Sequence, residues 1–227
     1  MTETLLAVLQ FADGLFPSGG FAHSFGLETY AQTGAVRDAA GVAEFVRAQL
    51  EGSAGPADAV AAACAARRAG AGDLAGCVEI DRRLDAMKWV PEFRAASRQM
   101  GRQTARVAES AGDAFMAAVT RAIDVAEMPG HHAVVFGAAL GRHDAEPETV
   151  AAAYLHSTAT LLVNAALRLV ALGQVEGQRL LTSFRPLIAR LAHEAAVANP
   201  DEMWSFTPAL EIAGIRHAGL DARMFRS

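Results

Sequence analysis

The chain has 227 residues, 52% of them hydrophobic and 20% charged, with a formal net charge of −5. That length fits one domain, or two at most, and that apolar share supplies a real core while excluding a disordered chain. The acidic balance, with arginines scattered along helical faces and no basic run, offers nothing to nucleic acid.

Alanine dominates, followed by leucine, arginine and glutamate, and period-two runs of β-branched or aromatic residues are missing, so nearly everything reads as helix. A first helix is expected over Thr4 to Ala12, then a loop through Asp13-Gly14 and Pro17-Ser18-Gly19-Gly20. A second helix runs from Phe21 to Gly34, a residue that suits a helix end. Asp38 caps a third, with Val42, Phe45, Val46 and Leu50 on one face and Gly52 after it. Pro56 opens a fourth in the first-turn position, where proline is tolerated. Gly70-Ala71-Gly72 breaks the chain before a helix from Asp73 to Lys88. Pro91 starts the next, running to Ser110, and Asp113 caps another, to Glu127. After the Pro129-Gly130 break come a short helix, His131 to Leu140, and a polar loop from Gly141 to Glu146. Pro147 begins what reads as the longest helix, with Val150, Tyr154, Leu155, Leu161, Leu162, Leu169 and Val170 as its apolar stripe and Gly173 as its end. Glu176 to Ala198 follows, with Phe184, Leu187, Ile188 and Leu191 inward, stopped by Asn199-Pro200. Pro208 to Ala222 is the last helix, and Met224 to Ser227 is a tail. The expectation is a single all-α domain over residues 1–227, a bundle of about ten helices whose alanines permit close helix approach.

Cys64 and Cys77 are the only cysteines. They form no C-x-x-C pair and no disulfide framework, so a reduced, cytoplasmic setting is expected. Met1 to Thr4 lacks the positive charge of a signal peptide. No apolar run reaches the ~20 residues that span a bilayer. The most apolar region, Leu155 to Leu172, is broken by His156, Asn164 and Arg168, so no membrane role is expected.

The densest cluster of unusual residues is Pro17-Ser18-Gly19-Gly20-Phe21-Ala22-His23-Ser24-Phe25-Gly26-Leu27-Glu28. Its glycines point to close backbone approach and its polar groups to contacts. Catalytic signatures fail elsewhere. There is no G-x-x-x-x-G-K-[ST] phosphate loop and no G-x-S-x-G elbow, and His193-Glu194-Ala195-Ala196-Val197 has valine where a zinc-protease helix needs its second histidine. His131 and His132 are neighbours and point about 100° apart on a helix, a poor arrangement for one ion. His132 lies one turn from Phe136, which favours a packed or hydrogen-bonded histidine. Glu92, Arg94, Ser97 and Gly101 share one helix and read as a polar face with a possible contact role. The last residues hold Glu211, Arg216, His217, Arg223, Phe225 and Arg226. An aromatic beside arginines in a tail has the composition of an interface anchor, docked either on its own chain or on a partner.

Four segments together resemble the urease accessory protein UreF family: Pro17-x-Gly19-Gly20-Phe21-x-His23-Ser24-Phe25-Gly26-Leu27-Glu28; Glu92-x-Arg94-x-x-Ser97-x-x-x-Gly101; His132-Ala133-Val134-Val135-Phe136-Gly137 with Arg168, Leu172-Gly173-Gln174 and Gly177-Gln178; and Ile212-x-x-x-x-His217-x-x-Leu220-x-x-Arg223-x-Phe225-x-Ser227. The resemblance spans nearly the whole length, though Ala54 to Gly76 carries no part of it. It implies an all-α, non-enzymatic scaffold that dimerises, binds UreD (also called UreH), recruits the GTPase UreG and delivers nickel to apo-urease. It also implies that the scaffold modulates that GTPase, with no resident cofactor, GTP held by the partner and nickel passing only transiently. Carried over by position, His217, Arg223, Phe225 and Ser227 would face UreD, and Phe21, His23 and Glu28 would also face partners. Arg168 would take part in a polar contact or in GTPase control. It stands where many members have lysine, and Phe21 where some have tyrosine, which changes donor geometry at one and removes a hydroxyl at the other. His131 and His132 remain as weak, transient nickel-path candidates. The rival readings are a nickel store, which wants a clustered His or Cys tract, and a helical metal enzyme, which wants paired carboxylates and histidines on facing helices. Neither pattern is present.

Overall fold

Small side chains let two helix backbones touch, and the architecture is built around one such contact. In a computed structural model describing residues 1–227, the chain forms eleven α-helices and no strands. α4 (Val60–Gly70) and α8 (His132–Gly141) cross where Gly137 meets the Ala62 backbone and Gly141 meets the Ala66 backbone. A Cβ on either glycine would sit far inside van der Waals contact with those carbonyls. The pairs are spaced i, i+4 on both helices, so one ridge of small residues runs along each. All ten residues of α8 are buried, which makes it the central rod.

The other helices wrap that rod. α5 (Leu74–Met87) and α6 (Pro91–Ser110) flank it, and α7 (Ala114–Asp124) closes over α6. Gly101 of α6 lies against Gly130 and His131, so the loop entering α8 is pinned backbone to backbone. Asp81 of α5 fixes the same loop. Its carboxylate is fully buried and accepts Gly130 N at 2.5 Å and His131 N at 3.0 Å. Burial pushes that carboxyl up to about 7, against the pull of the two N–H groups. α9 (Pro147–Leu169) and α10 (Gln174–Val197) pack side by side beyond α4. α1 (Thr2–Ala12), α2 (Leu27–Gln32), α3 (Ala39–Gln49) and α11 (Pro208–His217) complete the periphery.

Most predicted ends hold. Asp38, Asp73 and Asp113 each accept the N–H expected of a cap, from Gly41 at 2.9 Å, Gly76 at 2.8 Å and Met116 at 2.9 Å. Pro91, Pro147 and Pro208 sit in first turns. The predicted inward residues of the third helix, Val42, Phe45, Val46 and Leu50, are all buried, as are Phe184, Leu187, Ile188 and Leu191.

Several boundaries differ, and contacts distant in sequence explain most of them. Gly52 does not end the third helix, and Pro56 does not open the fourth. The chain continues from α3 through a π-helical segment, Leu50–Ala59, directly into α4, with Pro56 inside it. Pro56 has no N–H to return to the helix, and the Gly52 and Pro56 carbonyls instead accept Phe206 N at 2.8 Å and Trp204 N at 3.3 Å. The second helix breaks into a 3₁₀ turn, Gly20–Ala22, and the short α2, because Ser24 and Phe25 give their N–H groups to the far end of the chain. The seventh helix stops at Asp124, where the Glu127 and Met128 N–H groups both turn back onto Ala122 O. α11 stops at His217, well before Ala222, for the tail to turn back. α10, at 24 residues, exceeds α9, at 23. α9 alone is long and apolar enough to cross a membrane by length and composition, yet Val150, Tyr154, Leu155 and Leu162 on it are buried against the protein.

Gly137→Ala should destabilise the fold by about 1–3 kcal/mol through overpacking. Gly173→Ala, at a position with open space around it, should change little. Urea midpoints of the two variants check the contrast.

Candidate partner-docking site

The opening glycine-rich stretch and the last residues of the chain form one structure, centred on Glu28. Gly26 makes this possible. Its φ of 88° is a conformation L side chains rarely adopt, and a Cβ there would lie 3.3 Å from Leu210 O, so α2 can start directly on α11. Thr29 Oγ1 donates to Ala213 O at 3.0 Å and stitches the same two helices.

Glu28 is 2% exposed. Its Oε1 accepts Met224 N at 2.7 Å, and its Oε2 accepts Phe225 N at 3.0 Å. Oε2 also lies 3.0 Å from Nε2 of the fully buried His217, whose Nδ1 is 2.8 Å from Glu92 Oε2. Arg223 Nη1 donates to the other oxygen of Glu92 at 3.3 Å. Burial pushes the Glu28 carboxyl up, but the Met224 N–H, His217 and the Phe225 N–H outweigh it and hold it below its ordinary value.

Beyond Glu28 the tail pairs with the opening stretch. Arg226 N donates to Ala22 O at 2.8 Å, and Ser227 O accepts Ser24 N, Phe25 N and Ser24 Oγ at 2.6, 3.0 and 2.8 Å. His23 Nδ1 lies 2.9 Å from Ser227 Oγ. Burial, with Arg226 nearby, lowers His23 to about 4, so the ring is neutral at physiological pH. Phe225 is 4% exposed, and the Arg168 guanidinium covers its ring at 4.3 Å while donating to Phe21 O at 3.0 Å.

The structure thus brings eight predicted residues to one place and divides them by exposure. His23, Glu28, His217, Phe225 and Ser227 are buried within the chain and bonded to one another or to its backbone. Phe21, 78% exposed, and the side chains of Arg168 and Arg223 reach the surface, beside Met224 at 55%. Half-exposed Ile212 and Ile215 lie on α11, the helix that carries His217. The tail docks on its own chain, and its outer rim stays open. Sequence reasoning missed Ser24, Gln32 and Met224 as parts of this joint. Gln32 Nε2 donates to Ala222 O at 2.8 Å, and no local pattern announces pairings some 200 positions apart.

His131 and His132 lie elsewhere, at the start of α8. His132 is buried, with ring centroids 5.8 Å from Phe136 and 5.6 Å from Tyr154, the packed role its spacing to Phe136 pointed to. His131 is held between Ser97 and Asp85. Burial first, then the Lys88 charge, brings each ring down to about 4. No three His, Cys, Asp or Glu side chains converge in a way that would hold a metal ion.

The family model described as UreF matches residues 36–185. Similar proteins extend the match to both halves of the joint. A protein of Cereibacter sphaeroides named urease accessory protein UreF is 35% identical, covering 100% of each chain. Relatives with the same name from Bacillus sp. (strain TB-90) and Trichodesmium erythraeum are each 30% identical, over 98% and 97% of this chain and 99% and 95% of theirs.

Glu28→Gln should release the tail, because an amide nitrogen would face donors. The expected cost is about 1.5–3 kcal/mol for a lost hydrogen bond to a charged group, read as faster hydrogen exchange at Met224 and Phe225. Because the folded carboxyl sits below its ordinary 4.5, its contribution is fully present above that value and is lost as pH falls through the lowered one. The same amides should lose protection on acidification.

Proposed function

The chain belongs to the UreF family of urease accessory proteins, and we propose on that premise that it is a non-enzymatic scaffold in nickel delivery. In this reading it joins UreD (UreH) and the GTPase UreG to apo-urease as a homodimer, and it modulates the GTPase. Nickel is the cargo of the assembly and is not a resident ion of this chain.

The observation that supports a scaffold is the docked tail. A buried carboxylate and histidine fix the opening stretch and the last residues as one surface, and that surface keeps an exposed aromatic, a thioether and two arginines at its rim. Large apolar side chains left open beside arginine match the anchor composition of protein interfaces. The buried members, His23, Glu28, His217, Phe225 and Ser227, contribute by holding that rim in place. Phe21, Met224, Arg168 and Arg223 are the groups a partner can touch without unfolding the joint. UreD is assigned to this surface. Linkage then supplies the mechanism. A scaffold that binds one nucleotide state of UreG more tightly shifts that state's population, and differential affinity is the only way it can do so.

A pull-down from cells producing the urease accessory proteins should recover UreD and UreG with the intact chain. Removing Arg223 to Ser227 should abolish recovery of UreD. Phe21→Ala with Met224→Ala, which leaves the buried joint intact, should weaken it by ~30-fold or more, the scale of a 2 kcal/mol anchor. Full UreD recovery by folded versions of both variants would remove the tail from the interface. A stoichiometric, tightly held metal on the purified chain would favour a nickel store instead.

A further inference from the structure

The π-helical segment Leu50–Ala59 turns more widely than an α-helix, and such turns recur at functional sites. Residues 204–206 bond to it, through the Gly52 and Pro56 carbonyls and from Ser205 Oγ to Ser53 Oγ at 3.1 Å. Between this segment, the α5–α6 junction and α9 there remains a cavity of about 80 Å³. One water needs about 10–15 Å³ of such space, so the cavity exceeds a single water several-fold. Leu84, Met87, Met100, Leu161 and Leu162 give it an apolar wall. Trp89 also lines it and is 52% exposed, which gives the cavity a way to solvent.

A buried ion pair faces that wall. Asp58 is 5% exposed, and its Oδ1 lies 2.7 Å from Lys88 Nζ; both residues line the cavity. The contact is close but poorly aligned, and no donor of the chain makes a hydrogen bond to Asp58 Oδ1. The other buried carboxylates gather donors. Asp81 takes two N–H groups, and Glu28 takes two N–H groups and a histidine. Lys88 has three N–H groups, of which Asp58 faces one at most. A buried polar group left without a partner costs stability until something meets it.

The chemistry of that partner follows from the groups around it. It must donate to a carboxylate and accept from an ammonium at neighbouring points. It must carry no net charge, because Lys88 and Asp58 already offset each other and an entering ion would give up its hydration for half a partner. His132 on the same wall adds no charge, since burial and then the Lys88 charge bring its ring down to about 4. Glu211, the other charged lining residue, is partly exposed and lies at the Thr207 hydroxyl. The leucine and methionine side chains opposite suit a short hydrocarbon part. We propose that this cavity binds a short-chain primary carboxamide, its carbonyl accepting from Lys88, its NH₂ donating to Asp58 and its alkyl part lying on the apolar wall. No bond is made or broken, and the site stands independently of the scaffold reading.

The test adds propionamide to the purified full chain labelled with ¹⁵N. Amide shifts should map to Asp58, Lys88 and Ser157, the last being the cavity residue on α9, and saturation should pass from the protein to the methyl protons of propionamide. Propanoate and propylammonium, of similar length, should each bind at least ~10-fold more weakly, the scale of one lost hydrogen bond to a charged group. Asp58→Leu combined with Lys88→Met strands no charge and should fold, and it should weaken propionamide binding by ~10-fold or more. Ser157→Leu, which fills the cavity and keeps the ion pair, should abolish the saturation transfer. The wild-type comparison needs no variant to fold. Four results would overturn the proposal: no saturation transfer to propionamide, shifts that map elsewhere, equal binding of either ion, or unchanged binding by the folded double variant.

Discussion

The contact on which the rest depends is the backbone-to-backbone crossing of α4 and α8. Two glycines on one helix meet two alanines on the other at the same spacing. This brings the helices closer than leucine-sized side chains would allow, and dispersion between tightly packed backbones replaces part of the area that larger side chains would bury. A central helix buried at every position can exist only if its own polar backbone groups are bonded within it and the loop leading in is satisfied by neighbours. Asp81 and Gly101 meet the second condition. One accepts the N–H groups of Gly130 and His131, and the other leaves room for the loop's carbonyl. The same placement puts His131 and His132 in the interior, where burial keeps both rings neutral.

From that core the periphery follows by length and capping. α9 and α10 are long because their apolar faces run along α4 and each other, and the short helices at the two ends of the sequence are the parts left to close over the bundle. Closure there is polar. Glu28 gathers two backbone N–H groups and a histidine in a place where water cannot replace them, so the joint behaves as one unit: losing any donor leaves a buried acceptor unpaired. A terminal segment that would otherwise fray is thereby tied to α2, α6 and α11 together.

Helix content, three aspartate caps, three first-turn prolines and the inward faces of α3 and α10 were legible in the sequence because each is decided by neighbours within a turn or two. The alanine-rich composition likewise pointed to close helix approach, although not to the pair that uses it. What could not be read was decided across the fold. Gly52 looks like a helix end until Phe206 and Thr207 are packed against it, and a Cβ there would lie 2.7 Å from Thr207 Cγ2 and 2.9 Å from Phe206 O. Gly52 is small so that another segment can approach, not so that a helix can stop. Ser24 to Gly26 holds a single glycine, and its break, with Phe25 and Gly26 both at positive φ, exists because Ser227 O takes the N–H groups a helix would use. The eight residues singled out as contacts do gather at one place, but single positions could not show which would be buried supports and which would be exposed rim.

That division bears on which groups of this surface a partner could reach without unfolding it. A buried carboxylate bonded to tail amides and a histidine cannot also meet a partner unless the tail leaves, and leaving strands Glu28 between His217 and empty space. A partner that used those groups directly would have to offset that loss before gaining affinity. Phe21, Met224 and Arg168 carry no such cost: their exposed atoms can be covered without breaking the hydrogen bonds beneath. Arg168 is the link between the two layers, since it bonds Phe21 O and lies over the Phe225 ring at once. A ligand that pulls on the exposed ring of Phe21 therefore acts on the same guanidinium that covers the tail anchor. Any contact made at the rim would therefore be coupled to the hold on the buried tail through that one side chain.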